Sequence, residues 1–145
     1  AVMELLQVEA DKKRISVTLK CESKSACIKA DFDEITRLFT NFLSNAIKYN
    51  KENGSVIINI LNSGDYLLTE IKDTGIGLKP EEKKKLFSEF FRAKNELTKS
   101  ISGTGLGLSI VKRIVDSYSG KIEVESEFGI GTTFRIFLPS SLKSV

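Results

Sequence analysis

Two asparagines one helical turn apart, an aspartate entering a glycine turn, and a glycine-spaced loop opening a helix are the residues of this chain best equipped for chemistry. They lie in Asn41-Phe-Leu-Ser-Asn45-Ala-Ile-Lys48-Tyr49, Asp73-Thr-Gly75-Ile76-Gly77 and Gly103-Thr104-Gly105-Leu106-Gly107-Leu108. An asparagine oxygen is a neutral, hard ligand that suits a magnesium ion already carrying phosphate oxygens and water. Lys48, one turn beyond Asn45, can set a charge against phosphate. A buried carboxylate at Asp73 can accept from the exocyclic amine of adenine, and it repels the carbonyl that guanine carries there. Leaving such a group unpaired costs about 1–3 kcal/mol, enough to select a base. Gly75 and Gly77 let the backbone approach a flat ring, and Ile76 can pack on it. Free N–H groups at the helix start after Gly103 form an anion site favoured by the helix dipole. Their spacing is neither the dinucleotide fingerprint nor a P-loop.

Each motif alone also has a plain reading. The asparagines can be a solvated polar stripe, Asp73 can open an ordinary turn, and glycines often precede helices. Their order along one chain gives them weight together. The elements that must position them are legible. Residues from about Val2 to Lys13 read as a short helix, and Ile15 to Leu19 alternate as a strand. Ala26 to Ala30 reads as a second short strand. Asp31 or Asp33 can cap a long helix reaching about Tyr49. On that helix Glu34, Arg37, Asn41, Asn45 and Lys48 share one stripe, with Ile35, Leu38, Phe39, Phe42, Leu43, Ala46 and Ile47 opposite. Asn53-Gly54 is a hairpin-type signal. Ser55 to Leu61 and Tyr66 to Lys72 read as a strand pair around Ser63-Gly64-Asp65.

Pro80 suits the first turn of a helix. Phe87-Ser-Glu-Phe90-Phe91-Arg92 supplies aromatics for the core and an arginine able to reach a terminal phosphate. Those aromatics can anchor a lid spanning Ala93 to Ser102. Gly105 to Ser119 reads as a helix closed by Gly120 as its C-terminal cap. Lys121 to Ser126 and Thr132 to Leu138 read as strands. Short turns between strands imply a largely antiparallel sheet. One sheet covered on one face by helices, an α+β two-layer sandwich, is the economical architecture.

The 145 residues suffice for one domain spanning 1–145 with its own core. An apolar share of 41% with 28% charged residues argues against disorder. The net charge of +3, scattered among both signs, does not call for nucleic acid. No apolar run is long enough to span a bilayer, so no direct membrane contact is expected. With no histidine, Cys21 and Cys27 lack the usual zinc partners and are expected to be inert thiols in or near strands. A histidine phosphoacceptor or base must come from outside this chain. Because the chain begins at Ala1, with Met3 its only methionine, it reads as a piece of a longer protein.

Taken together these motifs resemble the catalytic, ATP-binding domain of sensor histidine kinases of two-component systems. The N box matches Asn41 to Tyr49, the first G box Asp73 to Gly77, the F box Phe87 to Arg92, and the second G box Gly103 to Leu108. Gly129-Ile-Gly131-Thr-Thr-Phe134 matches the closing glycine-threonine segment, and the likeness runs from about Glu4 to Pro139. It implies the Bergerat fold shared with DNA gyrase, a heat-shock chaperone and a mismatch-repair ATPase, a mixed, mostly antiparallel sheet with helices on one face. It implies ATP and Mg2+ as cofactors and phosphoryl transfer to a histidine. By it, Asn45 holds magnesium and Asn41 assists at the phosphates. Lys48 and Tyr49 contact phosphate or ribose. Asp73 reads the adenine amine, with Thr132 in support through water. Gly105 to Leu108 hold phosphates under the lid, and Arg92 approaches the γ-phosphate.

Glu34 stands where relatives often carry a basic residue, which bears on a local salt bridge only. The implied partners are the histidine-containing dimerisation domain of the same protein, whose hairpin this chain lacks, and a cognate response regulator. The implied location is cytoplasmic, within a parent protein that can be membrane-anchored. Competing readings are a gyrase-type ATP-driven machine, an anti-sigma-type serine kinase and a nucleotide-binding docking module. The first is disfavoured because an amide at Asn41 cannot serve as the base for an attacking water.

Overall fold

The computed structural model describes residues 2–22, 28–87 and 107–140, with side chains from residue 6 onward. Its elements in chain order are α1 (Val2–Lys12), β1 (Ser16–Cys21), α2 (Phe32–Lys48), β2 (Ser55–Ser63), β3 (Tyr66–Asp73), α3 (Pro80–Lys85), α4 (Gly107–Ser117), β4 (Lys121–Glu127) and β5 (Gly131–Pro139). The strands form one sheet in the order β1-β2-β3-β5-β4. Only β1 and β2 run parallel, because the chain crosses between them through α2. The other pairings are antiparallel.

Helix α2 forms because its apolar residues recur on one face. Leu38, Phe42, Leu43, Ala46 and Ile47 are buried, and Arg37 on the opposite side is exposed. Asp31 is its N-cap, its Oδ1 accepting from the Asp33 N–H at 2.9 Å. The core lies between this face and one side of the sheet. Phe42 meets Phe134 of β5 with ring centroids 5.0 Å apart, joined by Val56, Ile71, Ile136, Val111 and Val115. Truncating a side chain as enclosed as Phe42 costs about 3–5 kcal/mol. The other sheet face is polar around Arg135, which pairs with Glu70 at 2.8 Å and Glu125 at 2.7 Å.

Three expectations are revised. Residues 28–30 are not strand, so within the described residues nothing supports the element expected over Ala26–Ala30. Asn53-Gly54 makes no hairpin. It returns the chain from α2 into β2, with Asn53 at φ 63° and its N–H donating to the Lys13 carbonyl. The left-handed residue closing α4 is Ser119 (φ 58°), not Gly120. The Ser119 and Gly120 N–H groups bond the Asp116 and Val115 carbonyls in a Schellman closure. Gly120 is needed instead because a Cβ there would lie 2.3 Å from the Phe137 carbonyl oxygen. Glu34, whose departure from relatives bore only on a salt bridge, accepts at Oε1 from the Tyr118 hydroxyl of the segment after α4 at 3.3 Å.

Candidate nucleotide site at the end of the sheet

Strand alternation places the key carboxylate. In β3 and β5, Ile71 and Phe134 face the helices, so Asp73 and Thr132, two residues further toward the same sheet end, face them too. Asp73 and Thr132 are cross-strand partners, and Thr132 is in turn opposite Ser126 of β4. Asp73 thus sits at the sheet end on its helix-covered side.

The carboxylate is half engaged. Asp73 Oδ1 accepts from the Gly75 N–H at 2.9 Å, an Asx turn, and from the Thr132 N–H at 3.2 Å. Oδ2 has no partner among the described residues. Burial raises the Asp73 pKa from 3.8 to about 6, against the opposing pull of the Gly75 and Thr132 hydrogen bonds. A carboxyl group with one oxygen pinned and the other unmatched is poised to accept from an outside donor.

The glycine loop after Asp73 is clamped from two sides. The Ile76 N–H donates to the Tyr49 carbonyl at 3.0 Å, tying the loop to the end of α2. The Ile76 carbonyl accepts from the Gly129 N–H at 2.6 Å, tying it to the β4–β5 turn. Gly77 holds φ +74°, and a Cβ there would lie 2.0 Å from the Glu127 carbonyl oxygen. A Cβ on Gly75 would lie 2.4 Å from the Tyr49 carbonyl oxygen.

On α2, Asn41 and Asn45 are half-buried. Asn41 Nδ2 donates to the Arg37 carbonyl at 2.9 Å, so its Oδ1 is the available end. The Asn45 side chain makes no hydrogen bond among the described residues. Lys48 Nζ lies 5.4 Å from the centre of the Tyr49 ring. The structure therefore joins Tyr49, Asp73, Gly75, Ile76, Gly77 and Thr132 in one network, with Asn41, Asn45 and Lys48 on the adjoining helix. Leu108 packs against the core, and Gly107 begins α4. Arg92, Gly103, Thr104, Gly105 and Leu106 lie outside the described residues, as do the proposed lid and Cys27.

Sequence reasoning missed three supports. Lys13 Nζ donates to the carbonyls of Ile47 (3.2 Å), Lys48 (2.7 Å) and Asn50 (3.4 Å), which closes the C-terminus of α2. Buried Asn50 donates from Nδ2 to the Ser55 carbonyl at 3.1 Å and accepts at Oδ1 from the Thr74 hydroxyl at 3.1 Å. Ser126 bonds both Leu78 and Thr132. Lys13 is one of many lysines, and its distance of 34 residues from Ile47 gives no local signal. Asn50, directly after the helix and before Asn53-Gly54, was the one support a turn analysis could have found.

Residues 30–142 match the model of the histidine kinase-, DNA gyrase B- and HSP90-like ATPase family. The sensor protein RprX of Bacteroides fragilis is 34% identical over 140 residues, covering 95% of this chain and 27% of RprX. The nucleotide-free catalytic domain of the histidine kinase ThkA superposes with a TM-score of 0.82 at 29% identity, covering 96% of this chain and 88% of that one. Full-length ShkA in complex with AMPPNP gives 0.84 at 28% identity, covering 99% of this chain and 29% of ShkA. ThkA in complex with the response regulator protein TrrA gives 0.77 at 28%, with 97% and 38% covered. The chain belongs to this ATPase family, and within it to the ATP-binding catalytic domains of sensor histidine kinases. It spans about a quarter of the length of RprX. Among the described residues, no helix is long and apolar enough to cross a membrane.

Proposed function

We propose that this domain binds Mg-ATP and positions its γ-phosphoryl for transfer to a histidine on a separate dimerisation domain of the same protein. One observation carries the reading. The half-buried Asp73 carboxyl has Oδ1 pinned by two backbone N–H groups and Oδ2 unengaged among the described residues, beside a glycine loop tied to the end of α2. Asp73 accepts from the adenine amine, and Thr132 supports it. Gly75, Ile76 and Gly77 line the base, while Tyr49 and Lys48 contact ribose or phosphate.

Asn45, half-buried and with a side-chain oxygen unmatched among the described residues, suits a hard cation arriving with phosphates, and Asn41 offers a second oxygen beside it. Magnesium, when bound, supplies charge neutralisation on the phosphates. Lys48 and Arg92 add cationic donors toward the transferring group. Gly103 to Leu108 hold phosphates. The chemistry is positioning and charge neutralisation, with no covalent intermediate on this chain.

The single domain 1–145 works on the cytoplasmic side, and the phosphoryl group passes on to a cognate response regulator. This last step is supported by the ThkA–TrrA complex. The test is transfer of labelled γ-phosphate from ATP to supplied histidine-hairpin fragments of two-component kinases. Labelling of a hairpin histidine is the expected result. Tight ATP binding with no transfer to any such hairpin would favour a docking module instead.

A further inference from the structure

Ser126 has three oxygen or nitrogen neighbours and only one proton. Its Oγ lies 2.8 Å from the Leu78 nitrogen, 3.0 Å from the Gly131 carbonyl oxygen and 2.8 Å from Thr132 Oγ1. A backbone N–H can only donate, and a carbonyl can only accept. With all three contacts made as hydrogen bonds, the Ser126 proton goes to Gly131 and the oxygen accepts from Leu78. The contact with Thr132 is then satisfied in one direction only: Thr132 donates to Ser126. The proton of Thr132 is committed to β4, and what its oxygen has left is lone pairs.

This matters because Thr132 is the cross-strand neighbour of Asp73, and its backbone N–H is already spent on Asp73 Oδ1. The side chains that Asp73 and Thr132 bring to the edge beside the glycine loop thus offer acceptors, Asp73 Oδ2 and Thr132 Oγ1. We propose that Ser126 is a positioning residue that fixes the Thr132 hydroxyl as an acceptor and so sharpens the preference for an amine-bearing purine. The proposal rests on the reading of Asp73 as the base-recognising group, and adds a residue that does not itself touch the nucleotide. An amine finds partners on this edge, directly or through a water. A carbonyl in its place meets lone pairs on both sides. Ser126 also holds the Leu78 N–H, so it sets the exit of the same loop.

The experiment titrates ATP and inosine triphosphate, which carries a carbonyl where adenine has its amine, into the wild-type chain, Ser126→Ala, Ser126→Thr and Asp73→Asn. In Ser126→Ala the Thr132 hydroxyl is free to turn and donate, so the preference for ATP over inosine triphosphate narrows by about tenfold, the scale of one mismatched hydrogen bond. Ser126→Thr retains the wild-type preference. If Ser126→Ala does not fold, Ser126→Cys, a weak acceptor of similar size, carries the same comparison. An unchanged ratio of the two affinities in a folded Ser126→Ala or Ser126→Cys, with both nucleotides weakened equally, would reduce Ser126 to a structural role and overturn the proposal. Loss of ATP binding in Asp73→Asn alongside that unchanged ratio would sink the Ser126 assignment alone. Wild-type ATP binding in Asp73→Asn would sink the reading beneath it.

Discussion

The two halves of the site are built in opposite ways. At the sheet end, Asp73, Gly75, Ile76, Thr132 and Ser126 are held by backbone and hydroxyl bonds before any ligand arrives. On α2, Asn45 has no hydrogen-bond partner among the described residues, and Asn41 uses only its donor end, on its own helix. The first half is a preformed reader. The second offers acceptor oxygens whose partners must come with the nucleotide. Substitutions in the first half should therefore disturb folding and base choice, and those in the second should disturb metal dependence while leaving the fold intact.

The most severe way to break the preformed half is Gly77→Ala. It forces a side chain into a left-handed backbone and against the Glu127 carbonyl. A loss on the order of 2–4 kcal/mol is expected in denaturant unfolding, together with nucleotide binding. A variant of unchanged stability would show that the loop is not clamped as described.

Lys13→Met removes the cation from three carbonyls at the end of α2. A cost of about 1.5–3 kcal/mol is expected for hydrogen bonds from a charged donor, read from the unfolding midpoint. Because Lys48 and Tyr49 sit on that helix end, ATP affinity should fall as well.

The raised pKa of Asp73 makes a prediction about the free domain. Its ordinary value is 3.8 and its folded value about 6, so the folded state holds the proton more tightly. The associated stabilisation is fully present below about pH 4 and is lost as pH rises through about 6. Asp73→Asn, which keeps an oxygen for the Gly75 and Thr132 N–H groups, should flatten this slope and melt higher than wild type at neutral pH. Thermal melts across that range decide it, and a wild-type slope in the variant would assign the dependence elsewhere.

The gentlest perturbation belongs to the other half. Asn45→Ala should change stability by no more than about 0.5 kcal/mol, because its half-buried amide has no hydrogen bond to lose among the described residues. It should nevertheless abolish the magnesium dependence of ATP binding. Full magnesium dependence in that variant would remove Asn45 from the metal.

This contrast also explains what the sequence made legible. The amphipathic pattern of α2 disclosed both its core face and its amide stripe, because burial and periodicity are local properties of a helix. Asp73 and its glycines were readable for the same reason, since an Asx turn is a short-range device. The clamps were not readable. Lys13 reaches residues 34 to 37 positions away, and Ser126 meets Leu78 48 positions away. Such contacts are created by the order β3-β5-β4 and by the β1–β2 crossover, which no local pattern specifies. Gly120 was misassigned because glycine serves two needs, positive φ and close approach, and the sequence does not say which. Ser119 met the first and Gly120 the second.

Calorimetric titration of Mg-ATP into wild-type and Asp73→Asn protein at neutral pH bears most directly on the base-reading assignment. A folded variant that binds ATP at least about tenfold more weakly is the predicted result, the scale of one unmet buried hydrogen bond. Equal affinity in the two proteins would contradict it.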